Sequence, residues 1–308
     1  MMDPDKKIRT AVIGTGFMGS LHCRAYSMDK DCVFTGVFDA DKKSSADQAS
    51  KYNIKAFDSV QELLENVDAV SVAAPTTLHY EIGKACIEKG VHLLMEKPIA
   101  ATIDEAKELE KALDKSGLVF AIGYIEKFNP AVKELFKAIK GEKILSFEAL
   151  REAPPAPRAN DVSVVLDLMI HDIDILLAAT NYGSPELIKA EGRKTSRDVI
   201  EDASCAIAFK DGTKAFLRAS KVSGKKLRTI RAVCSGILAE ADLISKKLKI
   251  TKDGTVSEIE ASGLEPIRAE VSDFLKAVKG NGAPASDIRS ACLSFETAKK
   301  IERLIEGR

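Results

Sequence analysis

The sequence predicts an α/β protein: an N-terminal doubly wound parallel sheet joined to a C-terminal α+β domain with a largely antiparallel open sheet. Three observations predict it. Short apolar runs alternate with amphipathic stretches through the first 124 residues or so, the rhythm of strands covered by helices on both faces. The first of those runs ends directly in a glycine-rich turn, Gly14-Thr-Gly16-Phe-Met-Gly19. From Leu187 to Glu260 the pattern changes to strand after strand, with the hairpin dipeptides Asp211-Gly212 and Asp253-Gly254 between them.

The elements follow in order. Ile8–Ile13 is the first strand, and a helix spans Phe17–Met28. Val33–Phe38 is the second apolar run and stops at Asp39. Ser59-Val-Gln-Glu62 is a capping box, in which the serine hydroxyl and the glutamate carboxylate satisfy free N–H groups, opening a helix through Val67. A strand over Asp68–Ala74 precedes a helix over Leu78–Lys89, which Gly90 ends. Val91–Met95 runs into Glu96-Lys97-Pro98, and Thr102-Ile-Asp-Glu105 caps a helix ending near Gly117. Leu118–Tyr124 closes the series and sets the expected boundary, with domains at 1–124 and 125–308.

Beyond the boundary Asn129 caps a helix with Pro130 at its first position, where proline forfeits no hydrogen bond. Ile144–Arg151 is a strand, Ala153–Pro157 a proline-rich loop and Ser163–Ala179 a helix. Two helices, Pro266–Lys279 and Asp287–Glu306, finish the chain. The strand Ala203–Phe209 is apolar on both faces, whereas a sheet with one wet face should alternate. Its outer face is expected to meet another subunit, in a homodimer or homotetramer built through the C-terminal sheet, the alternative being cover from the same chain.

Composition narrows the function. The 308 residues carry 46 Lys plus Arg and 46 Asp plus Glu, so net charge gives no reason to expect nucleic-acid or acidic-membrane binding. No apolar run approaches the ~20 residues a membrane-spanning helix needs. The charged start, Met1–Lys7, does not read as a signal peptide. The six cysteines are scattered without a C-x-x-C pair, as buried apolar residues of a reducing compartment, and a cytoplasmic protein is expected.

The glycine turn follows a strand and opens a helix, and Asp39 ends the next strand 20 residues after Gly19. That is the dinucleotide fingerprint of a Rossmann fold. Gly14 makes the tight turn, Gly16 lets backbone approach a pyrophosphate, and Gly19 allows close packing. Phe17 and Met18 belong to the same loop, at a helix N-terminus that attracts phosphate. Asp39 is placed to accept from ribose hydroxyls and to repel a 2′-phosphate, which favours NAD over NADP, although Lys42 and Lys43 follow closely.

Chemistry has three further signals. Lys97 ends a strand before a proline-fixed turn, although a surface ion pair there would look the same from sequence. Asp167, His171 and Asp174 are spaced i, i+4, i+7, so at about 100° per residue they share a face of an otherwise apolar helix. Burying them demands partners or a function; Asp172 falls on another side and reads as solvated or structural. Lys127, Arg151 and Arg158 come from three segments near a presumed cleft and suit a phosphate or carboxylate on the substrate. His22, His79 and His92 fall in or beside the first domain, and no further ligands are placed for a metal, so none is expected. There is no G-x-S-x-G elbow and no cysteine with a convincing histidine partner.

These motifs together resemble the Gfo/Idh/MocA oxidoreductases. The carriers are AVIGTGFMGSLH (Ala11–His22), AAPTTLH (Ala73–His79), MEKP (Met95–Pro98) and DLMIHDID (Asp167–Asp174), in order along the chain. Within the family, GYIEKFNPAV (Gly123–Val132) and the APR at Ala156–Arg158 look most like the UDP-N-acetylglucosamine 3-dehydrogenase type, with Lys127 where an arginine is frequent. The resemblance implies an NAD-dependent dehydrogenase that oxidises a secondary hydroxyl of a sugar or nucleotide sugar. An inositol or free-hexose dehydrogenase and a non-catalytic NAD-binding regulator are the alternatives. It also implies roles: Lys97, Asp167 and His171 catalytic; Thr76, His79, Glu96 and Lys97 beside the cofactor; Tyr124, Lys127, Arg151, Arg158, Asp167 and His171 toward the substrate. A cis Lys97–Pro98 bond is implied as well.

Overall fold

The computed structural model describes residues 7–155, 162–194 and 198–307; Arg158 and the end of the proline-rich loop lie outside them. The chain divides into two units, Met1–Ile125 with Glu265–Cys292, and Glu126–Leu264 with Leu293–Arg308.

The first unit alternates β1 (Ile8–Ile13), α1 (Phe17–Ser27), β2 (Cys32–Phe38), α2 (Lys42–Tyr52), β3 (Lys55–Ala56), α3 (Val60–Leu64), β4 (Ala69–Val72), α4 (His79–Glu88), β5 (His92–Glu96), α5 (Ile103–Ser116) and β6 (Phe120–Gly123). Its six strands lie in the order β3-β2-β1-β4-β5-β6, and every neighbouring pair is parallel. The order reverses between β1 and β4, the switch point at which Rossmann sheets receive dinucleotides. All four residues of the central strand β4 are buried, as parallel strands covered on both faces require, and so are all four of the edge strand β6. Both capping boxes start helices: the Ser59 hydroxyl accepts from the Glu62 N–H, and Thr102 and Glu105 cap each other. The α3 helix stops at Leu64 rather than Val67, and α2 and β3 were not expected.

The second unit opens with α6 (Pro130–Ala138), capped by Asn129, and β7 (Ile144–Glu152). A π-helical turn over Val165–Met169 leads into α7 (Ile170–Ala179). Then come β8 (Pro185–Lys194), β9 (Ile200–Phe209), β10 (Lys214–Ser220), β11 (Leu227–Cys234), β12 (Leu238–Asp242), β13 (Lys247–Lys252) and β14 (Thr255–Glu260). The eight-stranded sheet runs β14-β13-β12-β11-β7-β10-β9-β8. Only β7 and β10 are parallel neighbours; the other pairs are antiparallel. On β9, Ala203, Cys205, Ile207 and Phe209 face inward, while Ser204, Ala206 and Ala208 form a partly open outer row.

The last two helices are α8 (Pro266–Val278) and α9 (Ile288–Ile305). The chain passes from the first unit to the second after Ile125, returns at Glu265 and leaves again after Cys292. Ile267, Val271, Phe274, Leu275 and Val278 of α8 join Ile8, Cys23, Tyr26 and Val37 in the first unit's core, so this helix belongs with the Rossmann sheet. All six cysteines are free and buried, and among the described residues no helix is long and apolar enough to cross a membrane.

Candidate active site

The glycine turn has the geometry its sequence implies. Gly14 has φ +89°, and a Cβ there would lie 2.6 Å from the Ala73 carbonyl. A Cβ on Gly19 would lie 1.8 Å from the Gly14 carbonyl oxygen, whereas one on Gly16 would meet nothing within 4 Å. Packing therefore requires glycine at 14 and 19, and the backbone at Gly16 stays open to a ligand. Gly19→Ala is accordingly expected to abolish NAD binding, read by fluorescence or calorimetric titration, and to lower the melting temperature. Gly16 also caps α1 without offering a side-chain acceptor, which leaves the first-turn N–H groups directed at an anion site.

Asp39 is held at the end of β2. One carboxylate oxygen accepts from the Thr15 N–H at 2.6 Å and the Thr15 hydroxyl at 2.9 Å; the other accepts from the Asp41 N–H at 2.9 Å. A carboxylate offers about four acceptor positions, so capacity for a ribose hydroxyl remains. These features fit a nicotinamide dinucleotide.

At the carboxyl end of β5 the Lys97–Pro98 bond is cis. Lys97 is half-buried and Thr76 half-exposed, while Glu96 and His79 are buried. His79, expected beside the cofactor, has both ring nitrogens against backbone carbonyls. Its Nδ1 lies 2.9 Å from the Pro98 carbonyl and its Nε2 2.9 Å from the Ala74 carbonyl, so the ring pins the Lys97–Pro98 turn to the loop after β4. Burial lowers its pKa, against the opposing effect of the two carbonyls. Glu96, read as a ribose-side group, is bonded to His22 Nε2 at 2.9 Å. Tyr124, read as a substrate group, is fully buried in the first unit.

In the second unit the π turn carries Asp167 and delivers His171 at the start of α7; such turns are rare and concentrate at functional sites. Asp167 pairs with Lys221 at 2.8 Å. Asp174, expected on the same working face, is wholly buried and bonded to Lys127 at 2.9 Å, with the Tyr182 hydroxyl also 2.9 Å from that ammonium. Burial alone would lower the Lys127 pKa, but Asp174 and Tyr182 outweigh it and hold the ammonium above its usual value.

Arg151 is bound likewise. Its guanidinium makes two bonds to Asp172, at 2.9 and 2.7 Å, and one to Glu126 at 2.9 Å, all between buried side chains. Glu126 also accepts from Arg228 at 2.6 Å. Lys127 and Arg151, expected to serve a substrate anion, are both buried and paired in this structure. Each is committed to carboxylates inside its own unit, because a buried cation is tolerated only when paired. Asp172 is buried as the partner of Arg151, not solvated. Sequence reasoning gave no role to His22, Glu126, Tyr182 or Lys221. Of these only His22 carried a signal, by its place in the glycine-turn motif.

A sequence profile described as an oxidoreductase family with an NAD-binding Rossmann fold matches residues 8–124. UDP-N-acetylglucosamine 3-dehydrogenase of Acidithiobacillus ferrooxidans is 35% identical over 281 residues, 88% of each chain. The chain belongs to the Gfo/Idh/MocA oxidoreductase family. The solved structure of that Acidithiobacillus enzyme superposes on this one with a TM-score of 0.94 at 31% identity, covering 98% of this chain and 99% of the other. The rhizopine catabolism protein MocA of Rhizobium meliloti is 24% identical over 311 residues, 96% of this chain and 95% of its own. Myo-inositol 2-dehydrogenase of Thermotoga maritima is 28% identical over 178 residues, 54% of this chain and 53% of its own. As a Gfo/Idh/MocA protein this is a dehydrogenase with a Rossmann domain for a nicotinamide dinucleotide.

Proposed function

We propose that this Gfo/Idh/MocA protein uses NAD to oxidise a secondary hydroxyl of a UDP-linked sugar, the 3-hydroxyl of UDP-N-acetylglucosamine being the first candidate. The observation that carries this reading is the similarity to the Acidithiobacillus enzyme over nearly the whole of both chains. NAD is favoured over NADP because Asp39 is fixed at the end of β2, where its charge would oppose a 2′-phosphate.

The bound nicotinamide supplies the hydride acceptor. Alcohol oxidation also releases the hydroxyl proton, and His171 is the residue we assign to take it. An imidazole with an ordinary pKa near ~6.5 is mostly neutral at pH 7 and can accept a proton. Asp167 orients His171 and stabilises the imidazolium, and Lys97 stabilises the negative charge developing on the substrate oxygen. With Lys127 and Arg151 committed internally, Arg158 remains the proposed cation for a substrate phosphate; no metal is invoked.

Self-association through the outer face of the second unit's sheet, as homodimer or homotetramer, is part of the proposal. It is supported by Phe216, 41% exposed, between Ala206 and Glu148 on the neighbouring strands.

The test is turnover on a panel of UDP-sugars, inositols and free hexoses. It is read both as absorbance at 340 nm and by mass spectrometry of products, since a retained cofactor hides net reduction. Turnover of UDP-N-acetylglucosamine is expected, with a loss of about 10²–10⁴-fold in His171→Ala. Turnover of free polyols alone would move the substrate to the inositol class. NAD binding without any turnover would favour a regulator.

A further inference from the structure

The apolar face of α8 is interrupted by one charged residue. Glu270 lies between Ile267, Val271 and Phe274, and is 2% exposed. Neither of its carboxyl oxygens has a hydrogen-bond partner among the described residues. One of those oxygens, an oxygen of Glu96 and a ring nitrogen of His22 all lie within 4.8 Å of one another.

The neighbouring bonds decide which carboxyl holds the charge. The Tyr26 hydroxyl lies 2.8 Å from the Ser71 hydroxyl, which lies 3.1 Å from His22 Nδ1. His22 Nε2 lies 2.9 Å from Glu96, and with Ser71 donating to Nδ1 that nitrogen is the donor. Glu96 also accepts from the Lys97 N–H at 3.3 Å. Its carboxylate sits hard against β6, since a Cβ on Gly123 would come within 2.9 Å of it. Glu96 is thus immobilised and supplied with hydrogen-bond donors, whereas Glu270 has none among the described residues. Two ionised carboxylates so close in a buried setting would be strongly disfavoured.

We propose that Glu270 is a positioning residue that carries a proton at neutral pH, so that the cluster holds one negative charge and Glu96 keeps the Lys97–Pro98 turn in place. Burial, then the neighbouring Glu96 and Asp273, push the Glu270 carboxyl well above the usual range. The ionisable groups on the elements packed against it are His22, Cys23, Arg24 and Tyr26 on α1 and His92 and Glu96 on β5; β6 carries none. On α8 itself are Arg268, Asp273 and Lys276, and Arg24 is paired with Glu265.

The sign follows from proton linkage. A carboxyl whose folded pKa is raised binds a proton in the folded chain that the unfolded chain has released. Stability therefore falls as pH rises from the ordinary carboxyl pKa near ~4.3 to the folded value, and then levels off. Glu270→Gln, a neutral isostere, removes this dependence. Its melting temperature should match wild type near pH 4.5 and exceed it by about 3 °C more for each pH unit above that, up to the plateau. Glu270→Met, similar in volume and without oxygens, should show the same widening gap and serves if the glutamine variant does not fold.

Infrared spectra of wild type at pH 7 should contain a deuterium-sensitive carboxylic-acid band that is lost in the variant. These readouts need no substrate. The link to turnover rests on the role proposed for Lys97: the alkaline decline of kcat/KM that tracks Glu270 ionisation in wild type should be absent in Glu270→Gln. A pH-independent gap between wild type and both variants would overturn the proposal. So would an unchanged infrared band, or one divalent cation per chain retained by wild type and lost in Glu270→Gln.

Discussion

Lys97→Ala is expected to lower kcat on the sugar substrate by about 10²–10³-fold, the usual loss when one stabiliser of a developing oxyanion is removed. The melting temperature should stay near wild type, and NAD affinity should fall far less than kcat. Lys97 is half-buried at a strand end, so its truncation opens no core cavity, while the turn beside it remains pinned by His79 through Pro98 and Ala74. Lys97→Arg should recover little activity, because a planar guanidinium cannot replace a compact ammonium at a fixed distance. Steady-state kinetics with separate NAD titration checks this; an unchanged kcat would remove Lys97 from the chemistry.

Arg151→Ala is expected to destabilise the second unit by about 3–5 kcal/mol, the range for removing one partner of a buried ion pair. Asp172 would lose both its bonds to the guanidinium and Glu126 one of its two arginines. Burial alone would raise the Glu126 pKa, but Arg151 and Arg228 outweigh it and hold the carboxyl below its usual value. A depressed carboxyl pKa contributes stability above the unfolded value near ~4.3, and that contribution is lost as pH falls through the folded value. Wild type should therefore weaken in acid through this group, and Arg151→Ala should weaken less steeply. Urea denaturation at pH 7 and pH 4 measures both effects. The double variant Arg151→Met with Asp172→Leu should regain part of the loss, since apolar packing often replaces a buried pair. Unchanged stability in Arg151→Ala would show that this cluster does not hold the unit together.

The sequence made the sheet plan of both units legible because apolar runs, capping boxes and Asp-Gly turns are local signals. It did not show α2, whose sequence KKSSADQASKY buries only Ser45 and Ala49 and so has almost no apolar stripe. The signals there were punctuation: Asp41, which caps the first turn, and Asn53, which ends the helix in the left-handed conformation. The glycine turn and Asp39 were readable because each glycine is demanded by backbone proximity. The basic residues were readable as charges but not as partners. Whether Arg151 faces solvent or Asp172 depends on how β7 packs against α7, and no spacing rule encodes that. Glu270 was invisible for the same reason, and the π turn before His171 has no sequence signature comparable to a cap.

The return of α8 to the first unit has a consequence for synthesis. Residues Glu126–Leu264 interrupt the Rossmann unit as a long insertion, and the helix that covers Ile8, Cys23 and Tyr26 is translated only after it. At 5–20 residues per second, the nascent chain leaves that apolar surface open for on the order of ten seconds. During that interval the surface is open to chaperones and to other nascent chains, so the risk of misassembly falls on the half of the protein that emerges first.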